Sequence, residues 1–393
     1  MKLYKHQQEL VELSPEKCLL AWNCGCGKSL AIVSLINDKL PDKKVLVICP
    51  KSLKEQWTAL LDKEAKFHHK IYTKEEFKKV AKELDKYDVI CCDEAHYFAG
   101  MKSQMSKNLL SYIKKYKIVN IYLLTATPYM STPWNVFVLA RYLGKEWNYM
   151  SFKYKFFNEI RMGHRLIPVI KKGIEKDVAS LIKSIGYTKK LSECIDVPDS
   201  IFLQEYFDLT KEQKDGIESI EDIMPIVRWT KIHQICGGFL KGNEYENGRE
   251  YKAEKMNRLL DLCDEHSKVA VVCRYNAEIA NLSLKLTKKK VFVINGAPKD
   301  RDSVVNEINN TDKCVVLIQA ACSEGYNLPT IPVMIFYSYD FSLKNYIQMC
   351  GRIQRINAVQ KCVYISLTVR KTIDEDVYKC IMSKQDFNIA IYK

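Results

Sequence analysis

The segment from Trp22 to Ser29, WNCGCGKS, contains the residue types that bind a nucleotide phosphate. A phosphate cradle needs backbone N–H groups at the start of a helix, a lysine that reaches the β- and γ-phosphates, and a hydroxyl that holds magnesium. The residues able to supply these groups are Gly25, Gly27, Lys28 and Ser29. Trp22 stands where the usual pattern has glycine, and so short a match can also be accidental. The segment predicts a phosphate loop if other residues of a nucleotide site accompany it.

An acidic pair, Asp93 and Glu94, follows 65 residues after Lys28 at the end of an apolar run. A carboxylate at the end of a strand can hold magnesium near a phosphate loop, and a neighbouring carboxylate can polarise the attacking water. Two adjacent carboxylates also occur in ordinary solvated turns. Their position after a phosphate loop favours the nucleotide site.

Three other segments contain side chains that suit the same site. Thr125 and Thr127 in TATP follow the next predicted strand, where their hydroxyls could sense the γ-phosphate or the DEAH turn. Arg352 and Arg355 in QMCGRIQR share one helix face, which is either a solvated face or a source of charge for a transferring phosphoryl group. Gln7 in YKHQ could bond the N6/N7 edge of adenine, although alone it carries no information.

Apolar runs alternate with helical stretches in two parts of the chain. The first set is KCLLAW, KKVLVICP, YDVICCDE and VNIYLLTATP, and the second is KVAVVCRY, KKVFVIN, KCVVLIQA, PVMIFYS and CVYISL. Nearly continuous apolar runs are typical of parallel strands that helices cover on both faces. The sequence therefore predicts an α/β fold with two tandem domains.

The segment between the two sets, from about Tyr142 to Ser200, is basic and aromatic. Its aromatic side chains could stack on nucleic-acid bases, or they could pack on the first domain within a helical connector, which we favour. The predicted domains are residues 1–150, a short helical connector at 151–195, and residues 196–393.

Composition limits the class of protein. The chain has 393 residues, of which 47% are hydrophobic and 27% charged, as in soluble globular proteins of two domains. It contains no apolar run near the roughly 20 residues that cross a bilayer, and its first residues lack the apolar region of a signal peptide. We expect a cytoplasmic protein of a bacterium or a virus-infected host cell, with no membrane partner.

The charge of the chain favours a polyanionic partner, and its cysteine spacing does not favour a zinc site. The formal charge of +14 favours contact with a polyanion. The 15 cysteines lie largely in apolar runs and show no C-x-x-C spacing, so we expect buried thiols in a reducing compartment.

Taken in order, these motifs resemble those of superfamily 2 helicases and translocases, most closely the Swi/Snf-type branch and its compact phage-type relatives. The resemblance covers about nine tenths of the chain, from Gln7 to Arg355. It rests on YKHQ, WNCGCGKS, VICPKSLKEQW, DEAH, TATP, PWNVFVLARYL, SEGYNL and QMCGRIQRI. It implies two RecA-like domains, each a mainly parallel sheet flanked by helices, with ATP between them and tracking from 3′ to 5′.

The resemblance also implies roles for individual residues. ATP would contact Gln7, Asn23, Cys24, Gly25, Cys26, Gly27, Lys28 and Ser29, and Mg²⁺ would bind Ser29 and Asp93. The catalytic residues would be Lys28, the base Glu94, and the arginine fingers Arg352 and Arg355, with coupling through His96, Thr125, Thr127 and Gln348. Nucleic acid would meet Pro50, Lys51, Ser52, Ser323, Gly325 and Asn327. Three positions depart from the family pattern, namely Trp22, Gln319 and Asn357.

The leading functional hypothesis is an ATP-dependent DNA helicase or translocase that unwinds DNA or migrates branches. Its DNA would be single-stranded, forked or branched, its partners could include replication, recombination or repair proteins, and no oligomer is required. The alternatives are a translocase on double-stranded DNA without strand separation, an RNA helicase, a phosphate-loop enzyme with no polymer partner, and a catalytically silent scaffold. The presence of Lys28, Asp93, Glu94 and Arg355 disfavours the scaffold.

Overall fold

The computed structural model describes residues 3–129, 132–162, 165–194, 200–221, 224–242, 248–296, 301–354 and 361–383. The chain divides into two compact units, Met1–Asp196 and Val197–Lys393. Each unit contains one sheet of six strands.

The sheet of the first unit has the order β3-β2-β4-β5-β1-β8, and its neighbouring strands are parallel. The strands of this unit are β1 Lys17–Trp22, β2 Val45–Cys49, β3 His69–Thr73, β4 Val89–Asp93, β5 Asn120–Leu124, β6 Phe157–Met162, β7 Arg165–Ile170 and β8 Gly186–Lys189. The central strands β2 and β4 are buried at every position, as expected for strands covered on both faces.

Helices connect these parallel strands, since a parallel pair requires a crossover. The helices of this unit are α1 Lys5–Leu13, α2 Lys28–Lys39, α3 Lys54–Glu64, α4 Lys74–Val80, α5 Gln104–Tyr116, α6 Trp134–Tyr142, α7 Tyr149–Phe156, α8 Glu175–Ile185 and α9 Leu191–Cys194. Side-chain caps fix the start of three of them, because Thr73 accepts the N–H of Glu76, Ser103 that of Ser106 and Asn148 that of Ser151.

The predicted helical connector is helical only in part. Strands β6 and β7 form a separate antiparallel hairpin, and β8 extends the first sheet beside β1. Gly186 permits this pairing, since a Cβ there would lie 2.0 Å from the carbonyl oxygen of Leu19. The expected packing of its aromatic residues is observed, because Phe152, Phe156 and Phe157 are buried in the core of the first unit.

The sheet of the second unit has the order β13-β14-β12-β15-β16-β9 and is also parallel. The strands of this unit are β9 Ile201–Phe207, β10 Phe239–Leu240, β11 Arg249–Glu250, β12 Lys268–Cys273, β13 Lys290–Ile294, β14 Cys314–Gln319, β15 Val333–Phe336 and β16 Val363–Val369. Its helices are α10 Lys211–Glu218, α11 Pro225–Cys236, α12 Glu254–Glu265, α13 Asn276–Lys285, α14 Arg301–Asn310, α15 Leu343–Ile353 and α16 Ile373–Met382. Within the described ranges, no helix has the length and apolar character needed to cross a bilayer.

Candidate active site

The predicted phosphate loop connects β1, which ends at Trp22, to α2, which begins at Lys28. Gly25 and Gly27 have φ angles of 86° and 71°, in the left-handed region that favours glycine. A Cβ on Gly27 would also lie only 2.3 Å from Nε2 of Gln7. The loop therefore needs glycine at position 27, and it places a helix N-terminus where phosphate could bind.

Trp22 is a core residue, which explains why the loop tolerates it at its first position. Its side chain is 1% exposed and meets the ring of His6 edge-on, with 5.0 Å between the centroids. Nε2 of His6 lies 2.8 Å from the carbonyl oxygen of Cys26. Helix α1 thus holds the loop from both ends, through Trp22 and through Cys26.

Gln7 also joins α1 to the loop. Its Nε2 donates to the carbonyl of Gly27 at 3.0 Å, and its Oε1 accepts the N–H of Tyr4 at 2.9 Å. A glutamine amide has two donor hydrogens and two acceptor lone pairs, so these bonds use one of each, and the side chain itself is only 1% exposed. The structure places the predicted adenine-reading residue directly against the predicted phosphate loop.

The remaining loop residues differ in exposure. Nζ of Lys28 donates to the carbonyls of Trp22 at 2.9 Å and Asn23 at 3.3 Å. Asn23 is exposed, Cys24 and Ser29 are half-buried, and Cys26 is fully buried. Burial raises the pKa of the Cys26 thiol, so its side chain acts as a small apolar group while its backbone forms the loop.

Asp93 lies at the end of β4 and is held by two donors. Its Oδ2 accepts from Nε1 of Trp57 at 2.8 Å, and its Oδ1 accepts from the N–H of Glu94 at 2.9 Å. Burial and the nearby Glu94 raise the pKa of Asp93 to about 6, although Trp57 and Lys28 act in the opposite direction. A cation beside this carboxylate would favour its ionised form.

His96 connects the DEAH turn to the TATP segment. Its Nδ1 lies 3.1 Å from Oε2 of Glu94 and 3.0 Å from Oγ1 of Thr125. Oγ1 of Thr127 lies 3.4 Å from the same nitrogen, and the N–H of Thr127 donates to Oγ1 of Thr125 at 3.0 Å. Which of these contacts is a hydrogen bond depends on whether this nitrogen carries a proton, since a protonated nitrogen donates to one acceptor at a time. The structure brings the four residues together.

Glu94 has a left-handed backbone, with a φ angle of 48°. Such a conformation is costly for a residue with a side chain, and it is concentrated at functional sites. A short 3₁₀ turn, Ala95–Phe98, starts directly after it and positions His96.

Arg352 differs from the expected finger because its guanidinium is committed inside the second unit. The residue is 6% exposed, its Nε donates to the carbonyl of Gln348 at 3.1 Å, and its Nη1 donates to the carbonyl of Tyr326 at 2.8 Å. It therefore braces helix α15 against the SEGYNL segment. Arg355 and Asn357 lie outside the described residues.

The residues predicted to contact nucleic acid fall into an exposed and a buried group. Lys51 and Ser52 in the 3₁₀ turn after β2 are exposed, as is Asn327. The buried group is Pro50, Ser323 and Gly325. Ser323 is 1% exposed and donates its hydroxyl to Oε1 of Gln348 at 3.0 Å, so in this structure the hydroxyl supports α15 and does not reach solvent.

Trp57 is a site residue that sequence reasoning missed. It lies on α3, which follows β2, and β2 pairs with β4. The helix after β2 therefore lies close to the end of β4, where Asp93 is. The tryptophan was visible in the run VICPKSLKEQW, but its partner depends on the strand order.

Among the described residues, possible metal ligands do not form large clusters. Across the part of the chain that the structure describes, no group of three His, Cys, Asp or Glu residues could hold a metal ion. Magnesium commonly binds through one or two carboxylates together with substrate phosphates and water. Asp93, a buried carboxylate with a raised pKa, fits that kind of site.

Comparisons with known proteins show which proteins the chain is similar to. Residues 252–357 match the helicase conserved C-terminal domain. The chain is 20% identical to the uncharacterized ATP-dependent helicase YqhH of Bacillus subtilis, over 96% of this chain and 76% of that protein. It is 19% identical to the Caenorhabditis elegans homologue of SWI/SNF-related matrix-associated actin-dependent regulator of chromatin subfamily A-like protein 1, over 98% of this chain and 61% of that protein.

A solved structure supports the fold. The helicase domain of Pyrococcus furiosus Hef is similar with a TM-score of 0.57 at 15% identity, over 97% of this chain and 98% of that one. This likeness concerns the fold of two RecA-like domains. Membership of a compact phage-type group stays a prediction. The chain is thus similar to superfamily 2 proteins of the helicase and translocase type, with Swi/Snf-related proteins among its relatives.

Proposed function

We propose that this protein is an ATP-dependent helicase or translocase that moves along or remodels nucleic acid, preferably DNA. The observation that carries the proposal is the contact of His96 Nδ1 with both Glu94 and Thr125, at 3.1 and 3.0 Å. This contact joins the acidic turn of a nucleotide site to the following strand, in the unit that also holds the phosphate loop. The helicase C-terminal domain and the helicase relatives support the same function.

ATP would bind through the loop and helix α1. Backbone N–H groups from Gly25 to Ser29 would bind the phosphates, Lys28 would reach the β- and γ-phosphates, and Gln7 would bond adenine. Ser29 and Asp93 would hold Mg²⁺, which neutralises charge on the phosphates when bound. Phosphate binding would require Nζ of Lys28 to exchange its present carbonyl partners for phosphate oxygens.

Glu94 would act as the base that orients and polarises the attacking water. His96 would hold the Glu94 carboxylate and report its state to Thr125 and Thr127. An arginine of the second unit, Arg355 in preference to the buried Arg352, would stabilise charge on the transferring phosphoryl group.

Nucleic acid would contact the exposed residues Lys51, Ser52 and Asn327. The formal charge of +14 suits a polyanion, and binding through lysine and arginine would weaken steeply with salt. Coupling requires the polymer to bind two states of the protein with different affinity. The preference for DNA over RNA, and the direction of tracking, rest on the likeness to the Swi/Snf-type branch.

The test is an ATPase assay with single-stranded, duplex, forked and four-way DNA and with RNA, beside a strand-displacement assay. We expect nucleic acid to stimulate hydrolysis, with DNA above RNA. Duplex stimulation without strand displacement would favour translocation alone, and preferential stimulation by RNA would favour an RNA helicase. Hydrolysis that is indifferent to every polymer would refute the proposal and favour a phosphate-loop enzyme without a polymer partner.

A further inference from the structure

Two cysteines of the first unit meet beside the predicted phosphate loop. Strand β8 pairs with β1 in a parallel register that sets Lys189 opposite Trp22, and the N–H of Asn23 donates to the carbonyl of Lys189 at 3.0 Å. The loop that follows β1 and helix α9, which follows β8, therefore leave the sheet side by side. Cys26 lies in this loop, and Cys194 is the last residue of α9. The fold thus brings together two thiols that are far apart in the sequence.

The two thiols interact with each other. Burial is the main cause that raises the pKa of both groups, and a hydrogen bond joins them. This bond raises the pKa of Cys26 further but acts against the rise at Cys194, as expected if the Cys26 thiol donates and the Cys194 sulfur accepts. The charge of Lys189 also favours the thiolate of Cys194. Of the pair, Cys194 is therefore the better nucleophile.

The exposure of the two thiols differs. Cys26 is fully buried, whereas Cys194 is half-buried, and both are free thiols in the structure. An isolated buried thiol is inert and acts as a small apolar group. Cys26 is not isolated, because its thiol contacts a sulfur that solvent reaches in part. An oxidant can therefore react first at Cys194, and the buried thiol is in place to react next.

The backbone of the loop forms bonds to itself around Cys26. The N–H of Cys26 donates to the carbonyl of Asn23 at 3.3 Å, and Nζ of Lys28 donates to the same carbonyl at 3.3 Å. Both donors belong to the set that would bind a phosphate, so ATP would compete with Asn23 for them. The carbonyl of Cys26 lies 2.8 Å from Nε2 of His6, which holds the loop from helix α1. A covalent bond at Cys26 would fix this arrangement and oppose the exchange.

We propose that Cys26 and Cys194 are a modification site, where a reversible disulfide closes the phosphate loop to ATP. The oxidant is a small disulfide such as oxidised glutathione. The Cys194 thiolate attacks one glutathione sulfur, forms a mixed disulfide and releases a glutathione thiolate. The Cys26 thiol then loses its proton and attacks Sγ of Cys194, which releases the second glutathione thiolate. The protons of the two cysteines pass to the two glutathione thiolates, so two electrons leave the protein and reduce one oxidant disulfide.

Reduction restores the loop, since an excess of reduced glutathione reverses both exchanges. This inference rests on the proposed function and adds a redox control of ATP binding to it. The disulfide would lower the population of loops in which phosphate can replace the carbonyl of Asn23. The main effect is therefore expected on the affinity for ATP and not on the rate of hydrolysis at saturating ATP.

The test compares the wild type, Cys194→Ser and the control Cys380→Ser in the full chain. Each protein is either fully reduced or equilibrated with oxidised glutathione. Cys380 is half-buried like Cys194, but it lies on α16 of the second unit. Serine is close to cysteine in size, so we expect both variants to keep the circular dichroism spectrum of the wild type and, when reduced, its affinity for ATP.

Two readouts separate the disulfide from its effect. The first is peptide mass spectrometry without reductant, which should detect the bond between Cys26 and Cys194 in the oxidised wild type and in oxidised Cys380→Ser. The second is the binding of a fluorescent ATP analogue. Oxidation should weaken this binding about tenfold in these two proteins and less than about twofold in Cys194→Ser, because only the cross-linked loop resists phosphate. Dithiothreitol should restore the affinity.

The outcomes distinguish this inference from the proposed function. A wild type that stays reduced, or that keeps glutathione on Cys194 without a bond to Cys26, would overturn the inference. An equal loss of affinity in oxidised Cys194→Ser would assign the effect to another thiol and also overturn it. A disulfide that leaves ATP binding unchanged would show that the pair does not control the loop. A reduced wild type that binds no ATP would instead refute the proposed function, and the redox control with it.

Discussion

Two buried aspartates, Asp93 in the first unit and Asp374 in the second, have opposite surroundings. Asp374 is 1% exposed, and its Oδ2 accepts from Nζ of Lys255 at 2.7 Å while its Oδ1 lies 3.3 Å from Nε2 of His233. Asp93 is 7% exposed and accepts from the Trp57 indole and a backbone N–H. Among the described residues, no lysine or arginine forms an ion pair with Asp93. The carboxylate of Asp374 is therefore paired with a cation of its own chain, whereas that of Asp93 accepts from neutral donors only.

The pKa values follow this difference. Burial by itself would raise the pKa of both carboxyl groups. In Asp374 the charges of Lys255 and His233 outweigh burial and lower the pKa to about 2. In Asp93 burial and the negative charge of Glu94 raise the pKa to about 6. Asp374 thus belongs to a buried structural cluster that contains its own cation, whereas Asp93 is suited to receive a cation from outside the chain.

A raised pKa alone does not mark a reactive group. Burial raises the pKa of Glu278 to about 7, yet Glu278 belongs to the buried interior of the second unit. It accepts from the hydroxyl of Ser338 and from the N–H of Tyr275. What distinguishes Asp93 is its place at the end of a strand, beside Glu94 and in the unit that holds the predicted phosphate loop.

The largest expected effect is that of Asp93→Asn on hydrolysis. Because asparagine is a poorer ligand for Mg²⁺, we expect the polymer-stimulated ATPase rate to fall about 10³-fold, equivalent to several kcal/mol of barrier. The measurement is steady-state phosphate release at saturating ATP and DNA. A variant that keeps more than a tenth of the wild-type rate would remove Asp93 from the proposed site.

Asp374→Asn should leave hydrolysis chemistry intact but destabilise the second unit. It would leave Lys255 buried without its negative partner, which costs about 3–5 kcal/mol in the free energy of unfolding. Urea denaturation monitored by circular dichroism measures this. The control is Asp264→Asn, since Asp264 pairs with Lys288 at the surface and such pairs add little stability. Equal stability of the two variants would contradict the structural role of Asp374.

The pH dependence of stability should have opposite signs at the two aspartates. A carboxyl group whose pKa is lowered in the folded state stabilises the fold at pH values above its unfolded pKa of about 3.9. The contribution of Asp374 to stability is therefore lost as the pH falls towards 2. A raised pKa has the reverse effect, so Asp93 costs stability as the pH rises from about 4 to 6.

The change that isolates the Asp93 effect is Asp93→Asn, studied without metal or nucleotide. Relative to the wild type, the variant should gain about 2 kcal/mol in the free energy of unfolding between pH 4 and pH 7, because the raised pKa of Asp93 is removed. Thermal melting of both proteins across this range measures it. If the difference in stability between the two proteins does not vary with pH, the pKa of Asp93 is not shifted in the folded state.

Trp57→Phe should give the smallest effect. The variant keeps an aromatic ring on α3 but removes the N–H that donates to Asp93. Loss of a group that orients a metal ligand commonly weakens metal binding about tenfold, so more Mg²⁺ should be needed for half-maximal ATPase. Binding of Mn²⁺, followed by electron paramagnetic resonance, provides a readout independent of hydrolysis. Unchanged affinity for the metal would mean that Trp57 only packs.

Local patterns in the sequence predicted much of the first unit. The apolar runs before Cys49, Asp93 and Leu124 became buried parallel strands, and the predicted helix after Gly27 begins at Lys28. Continuous apolar runs have few alternatives to a strand that is covered on both faces.

Other features of the fold and the site depend on tertiary contacts that the spacing of residues along the chain does not predict. The bond between Trp57 and Asp93 arises because β2 and β4 are neighbours, and strand order is a property of the whole fold. The burial of Ser323 and Arg352 depends on how α15 packs. Strand β8 is only the four residues GYTK, too few to show a strand pattern, and the close approach that requires Gly186 exists only in the folded sheet.

The central claim is that the Glu94 turn and the Lys28 loop form an ATP site that nucleic acid controls. The most direct measurement is the ATPase rate, with and without DNA, of the wild type, Glu94→Gln and the exposed control Glu83→Gln, together with the affinity of each for ATP. We predict DNA-stimulated hydrolysis in the wild type and Glu83→Gln, and normal ATP binding with a loss of at least about 100-fold in rate for Glu94→Gln. Undiminished turnover in Glu94→Gln would contradict the account.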